Sequence, residues 1–127
     1  MPDRHTFEYT IIRVVPKVER EEFMNVGVLV FCKRQKYLGI KFSVNKKRLT
    51  AFSDDIDIDL INQYLKAWEL ICIGGTKGGP IGALEVSDRF RWLSASKSTI
   101  IQCSKTHTGI SSSPENVLED AFERFVL

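Results

Sequence analysis

Tyr9-Thr-Ile-Ile-Arg-Val-Val-Pro-Lys-Val-Glu-Arg-Glu-Glu-Phe-Met-Asn-Val-Gly-Val-Leu-Val-Phe31 reads as a strand, a short charged turn or helix, and a second strand apolar on both faces. The first strand spans about Phe7 to Val15 and stops at Pro16, which has no N–H to give to a ladder. Period-2 alternation puts Phe7, Tyr9, Ile11, Arg13 and Val15 on one face. A guanidinium turned toward a core needs carboxylate or carbonyl partners, because an unpaired buried charge is strongly destabilising. Glu21 and Glu22 are the nearest acids in the chain, so the expectation is a local ion pair, with Glu22 the favoured partner of Arg13. Asn25 completes a polar set that packing alone does not call for.

Working outward, Val26 to Cys32 is continuous in apolar residues, as a central strand covered on both faces should be. Lys33-Arg-Gln-Lys36 makes a hairpin turn. The third strand then alternates, with Leu38, Ile40, Phe42 and Val44 inward and Tyr37, Lys41 and Ser43 outward. Asn45 is placed to cap a short helix through Phe52. The acids after Ser53 suit a helix start, where carboxylates meet the positive end of the dipole. The helix they open, about Asp57 to Ile73, sets Ile61, Tyr64, Leu65, Trp68, Ile71 and Cys72 on one face. Gly74-Gly75 ends it, and a flexible exit loop through Pro80 is expected.

Ser87 or Asp88 is expected to cap a turn of helix carrying Phe90, Trp92 and Leu93. Ser98 to Cys103 has strand character. Ser113-Pro114-Glu115 opens a last helix with a capping hydroxyl and a first-turn proline, and Val117, Leu118, Ala121, Phe122, Phe125 and Val126 form its buried stripe. These elements assemble as one α+β domain over residues 1–127: a three- to four-stranded, mostly antiparallel sheet covered by two amphipathic helices.

At 127 residues the chain can bury roughly two thirds of its unfolded surface, which suffices for one core. No apolar run approaches the roughly 20 residues of a membrane-spanning helix. Met-Pro-Asp-Arg-His lacks the apolar core of a signal peptide, and Cys32, Cys72 and Cys103 show no CxxC pairing, so a cytoplasmic chain with reduced thiols is expected. Charge is unevenly spread. Lys33, Arg34, Lys36, Lys41, Lys46, Lys47 and Arg48 fall in a stretch without acids, followed by Asp54, Asp55, Asp57 and Asp59. That stretch, 33–48, reads either as a surface for an acidic partner such as nucleic acid, or as a solvated hairpin with aggregation-blocking lysines.

Chemistry is faint. Gly74-Gly-Thr-Lys-Gly-Gly-Pro80 lacks the spacing of a P-loop and follows a helix, so it has no helix N-terminus for a phosphate. Cys103 and His107 do not make a metal site, because zinc needs more ligands and His5 is the remaining histidine. Cys103 is read as a sheet residue and His107 as a loop residue. Asp54 to Asp59 have a sufficient explanation at a helix start, and Glu22 is the one acid of interest, through its expected pairing with Arg13. Arg89-Phe-Arg-Trp92, with Gln102, Ser104 and Thr106 as exposed donors nearby, either binds phosphate and bases or is core plus ion pairs. No cofactor, metal or catalytic residue is assigned.

Phe7-x-Tyr-x-x-Ile-Arg-Val-Val-Pro16, Glu19-Arg-Glu-Glu-Phe-x-Asn-Val-Gly-Val28, Asp88-Arg-Phe-Arg-Trp-Leu93, Ser98-Thr-Ile-Ile-Gln102 and His107-Thr-Gly109 resemble, in order, one bacterial family. It is catalogued as domain of unknown function 3037. The resemblance marks Arg13, Glu22, Asn25, Gly27, Arg89, Gln102 and His107 as motif positions without roles. It also implies a small partner of a HipA-like kinase. The leading expectation is therefore a non-enzymatic binding or accessory protein that meets its partner through a surface carrying Arg89, Arg91 and His107. The alternatives are a nucleic-acid-binding module using residues 33–48, and an enzyme using Glu22 or His107.

Overall fold

Strand β1 (His5–Val14) is the axis of a five-stranded antiparallel sheet in the computed structural model, which describes residues 4–95, 97 and 99–127. On one side β1 pairs β2 (Met24–Cys32), which in turn pairs β3 (Tyr37–Phe42). On its other side two short strands share its length. β4 (Ile101–Cys103) lies against Ile12–Val14, and β5 (His107–Ser111) lies against His5–Tyr9. The α+β class expected from the sequence holds, with one strand more than the three or four expected. β5 escapes pattern reading because His107-Thr-Gly-Ile-Ser111 has no apolar alternation. Ser98, expected to begin β4, is outside the described residues.

Between β4 and β5, Ser104 carries the sheet across a gap. Its N–H donates to the Ile11 carbonyl (2.8 Å), while its hydroxyl oxygen accepts from the Ile11 N–H (2.8 Å). A side chain thus stands where a backbone carbonyl would be. Thr10 Oγ1 donates to the Ser104 carbonyl (2.7 Å), and both residues are buried. The sequence reading placed Ser104 among exposed donors. The reason for the difference is that its hydroxyl satisfies a backbone group inside the sheet.

The two faces carry two cores. Ile12, Val14, Val26, Leu29 and Phe31 pack under α1 (Lys46–Phe52), α2 (Ile58–Ile73) and α4 (Val86–Ser94), against Leu49, Ile61, Leu65, Trp68, Phe90 and Leu93. Ile11, Val28 and Val30 pack under α5 (Pro114–Phe125), against Leu118, Ala121, Phe122 and Val126. Asn45, Asp57 and Ser113 cap α1, α2 and α5 with their side chains, as the sequence indicates for Asn45 and Ser113. α4 starts at Glu85 without a side-chain cap, so Ser87 and Asp88 lie inside the helix and cap nothing. Tyr64 (36% exposed), Trp92 (41%) and Phe125 (37%) sit at the edges of their stripes, more open than their spacing suggests.

The segment after α2 is folded rather than a loose exit. A 3₁₀ turn (Thr76–Gly78) leads into α3 (Gly79–Gly82). Arg89 caps α2 from α4, donating through Nη1 to the carbonyls of Ile71 and Cys72 (2.8 Å each) and through Nε to Leu84 (3.1 Å). Gly74 allows this approach: it holds φ 86°, and a Cβ there would lie 2.9 Å from Arg89 Nη1. Gly27 answers a different need, since its Cβ would press on the Lys41 carbonyl at 2.9 Å and on Phe42 across the β2–β3 ladder.

Ser104→Ala leaves the Ile11 N–H buried without an acceptor, so urea unfolding should show a loss of about 1–3 kcal/mol with an unchanged m-value. Thr10→Val, which removes a donor while keeping the shape, should lose less. Equal and negligible losses would mean that the junction does not hold the sheet.

Candidate functional site

Arg13 is the centre of the site. The register between β1 and β2 slips after Ile12, which faces Gly27, so that Arg13 faces Asn25 and Val26 is the extra residue of a bulge. Bulges re-aim side chains. Here the slip turns Asn25 onto the α5 face beside Arg13, and Gln102 of β4 flanks Arg13 on the other side.

The ion pair expected between Arg13 and Glu21 or Glu22 does not form. Glu22 pairs with Arg20 in solvent, and Arg13 has no carboxylate within ion-pair distance among the described residues. Glu21 adopts the left-handed conformation (φ 56°) at the end of the Val18–Arg20 turn, and the reversal brings Phe23 over the strand instead of an acid. The Phe23 ring centre lies 3.9 Å from the guanidinium carbon of Arg13. Such a contact is worth about 0.5–2 kcal/mol. Beneath it, Arg13 Nε and Asn25 Oδ1 are buried without hydrogen-bond partners among the described residues. Asn25 Nδ2 donates to the Phe125 carbonyl at the end of α5 (3.0 Å), and Gln102 Nε2 donates to the Thr99 carbonyl (2.9 Å). Arg13, Val15, Val18, Glu21, Phe23 and Gln102 line an open groove of about 370 Å³.

Farther along the same face, α5 lies mainly on β2 and β3, with Tyr9 of β1 packed at its edge and His107 of β5 exposed beyond it. Tyr9 sits there between His107, 5.2 Å away ring to ring, and Phe125, 6.3 Å away. A second groove of about 300 Å³ runs between Phe7, Tyr9, Val117, Asp120, Arg124 and Phe125. Of the residues singled out from sequence, Arg13, Asn25, Gln102 and His107 therefore share one face. His107 belongs to β5 and not to a loop.

The others lie elsewhere. Arg89 is committed to the carbonyls that end α2. Arg91 forms a two-point ion pair with Glu8 (3.0 and 3.4 Å), on the opposite face of the sheet from His107, because Glu8 and Tyr9 are successive residues of one strand. The single surface of Arg89, Arg91 and His107 expected from sequence is thus not formed. The basic stretch is divided as well. Lys41 pairs with Glu119 and lies over Phe122, Arg48 donates to the Val126 carbonyl (3.2 Å), and Lys33, Arg34 and Lys36 remain at the hairpin tip. Glu21, expected as an ion-pair candidate for Arg13, lines the groove without pairing, and Phe23 is a site residue that the sequence reading did not single out. Its only signal is an aromatic next to an acid in the turn that follows the strand carrying Arg13.

Cys72 and Cys103 are poor nucleophiles. Burial pushes Cys72 up to about 12 and Cys103 up to about 11, so both stay protonated at neutral pH. The Cys103 thiol points at the Leu93 carbonyl (3.5 Å) in the helix layer, away from His107. Burial lowers Lys97, whose ammonium caps α4 through the carbonyls of Trp92, Leu93 and Ala95. Among the described residues no cluster of His, Cys, Asp or Glu could hold a metal ion, and Glu22 and His107 line no common cavity.

Residues 9–126 match the sequence profile of a family described as a protein of unknown function (DUF3037). No curated protein and no solved structure matches the chain.

Because both thiols hold their protons more tightly in the folded chain, their contribution to stability is complete below pH 9, their ordinary value. It should fall as the pH rises from there toward 11 and 12, where only the unfolded chain has released them. Lys97, shifted downward, acts in the opposite sense. Urea midpoints measured across this range should fall less steeply for Cys72→Ala/Cys103→Ala than for the parent; an identical slope would show that the thiols are solvated.

Proposed function

The chain belongs to that family of unknown function, and we propose that it works in the cytoplasm as a binding or accessory protein, engaging a protein partner through the sheet face at the edge of α5. The observation that carries this reading is the placement of Arg13, Gln102, Tyr9 and His107 on one face next to the end of α5. Half-exposed aromatics beside cations are the kind of surface that protein interfaces enrich. Arg13 and Arg124 favour an acidic partner surface. A HipA-like kinase is the candidate that the family resemblance supplies.

A second reading has one observation in its favour. Arg91 lines the same groove as Lys33 and Arg34, so a basic end of the molecule suits nucleic acid, although Glu8 neutralises part of it. The reading as an enzyme using Glu22 or His107 gains nothing, since the two do not meet.

Co-expression with a HipA-like kinase encoded beside the gene tests the first reading. His107→Glu/Arg124→Glu should weaken the complex by about tenfold or more while the fold survives, and Arg91→Ala, on the other face, should leave it intact. Loss only with Arg91→Ala would move the interface to the opposite face. For the second reading, affinity for DNA or RNA should fall linearly with salt on logarithmic axes, and Lys33→Ala/Arg34→Ala should reduce the slope by about two units. A flat salt response ends that reading.

A further inference from the structure

We propose that the groove over Arg13 is a binding site for a small zwitterion of the α-amino acid class. This goes beyond the partner surface: the groove shares Arg13 and Gln102 with it and adds Val18, Glu21 and Phe23. The groove has a cation and an anion on its walls, Arg13 and Glu21, and neither is in an ion pair among the described residues. The other walls are apolar, Val15, Val18 and Phe23, and Gln102 adds an amide. Such a set rejects simple ions. A phosphate or dicarboxylate that satisfies Arg13 would meet the repulsion of Glu21, and a polyamine that satisfies Glu21 would meet Arg13. A molecule with a carboxylate and an ammonium on one carbon satisfies both.

The chemistry of each side chain fits its part. Arg13 Nε is shut in beneath Phe23, which fixes the guanidinium plane while the remainder of the half-exposed side chain faces the groove. A planar fork held in that way receives a carboxylate at two points. Glu21, in the left-handed conformation (φ 56°), lines the same groove, and its exposed carboxylate can accept from an ammonium. Val18 and Phe23, 43% and 44% exposed, give the ligand's side chain an apolar surface. The groove's volume of about 370 Å³ lies within the range of small-molecule sites.

Titration of the ¹⁵N-labelled full chain with L-leucine, L-phenylalanine, L-glutamine and L-lysine tests the proposal. At least one should give saturable shifts at the amides of Glu21, Phe23 and Gln102 with a Kd below about 1 mM. The N-acetyl derivative and the amide of that amino acid, each lacking one charge, should bind about tenfold more weakly. Glu21→Gln, at an exposed position, should remove the preference for the free amine over the N-acetyl form, and Arg13→Lys should weaken the free acid more than the amide. Absence of saturable shifts with all four, or equal binding of the free, acetylated and amidated forms, overturns the proposal. Because the chain is tested without a partner protein, this result is independent of the complex and of His107 and Arg124.

Discussion

The exchange of hydrogen bonds between Ile11 and Ser104 is the constraint on which the arrangement rests. β1 must pair with two strands on one edge, and a turn between them interrupts the ladder where both would otherwise leave Ile11 unsatisfied. The Ser104 hydroxyl accepts that N–H, the Ser104 N–H returns a bond to the same residue, and Thr10 closes the junction from the side. With that point fixed, Gln102 is held opposite Arg13 and His107 opposite Tyr9. The two halves of the candidate face keep their spacing because one buried hydroxyl ties them to a common strand.

A second regularity concerns the cations. Arg89 ends α2, Lys97 ends α4 and Arg48 reaches the last carbonyls after α5, so three basic side chains serve as caps for orphan carbonyls. Arg91, Arg20 and Lys41 meet acids. Arg13 has neither kind of partner among the described residues, and an aromatic ring covers it instead. A half-buried guanidinium with one nitrogen unsatisfied is costly to keep. It stands out against Arg89, Lys97 and Arg48, whose charges each have structural work.

Much of this was legible from sequence, and the failures have physical causes. The alternation in Leu38, Ile40, Phe42 and Val44, the stripe of Ile61, Leu65, Trp68 and Cys72, and the Ser113-Pro114 start are strong local signals, and each holds because burial and capping act over a few residues. β5 was missed because its pairing comes from β1 and the Ser104 junction, not from its own side chains. Arg13 was identified, but the acid next in sequence was assigned to it. A single left-handed residue at Glu21 decided which side chain reached it, and a non-glycine residue gives no sequence sign of that conformation. Arg89 and Arg91 read alike, yet helix rotation sends one to the end of α2 and the other to Glu8.

Native-state hydrogen exchange, residue by residue, addresses the junction directly. The amides of Ile11 and Ser104 should exchange as slowly as those at the centre of β2, opening only with the whole sheet. Exchange of either at the rate of the exposed hairpin tip would show that β4 and β5 are not tied to β1 there, and the shared face built on that tie would not exist.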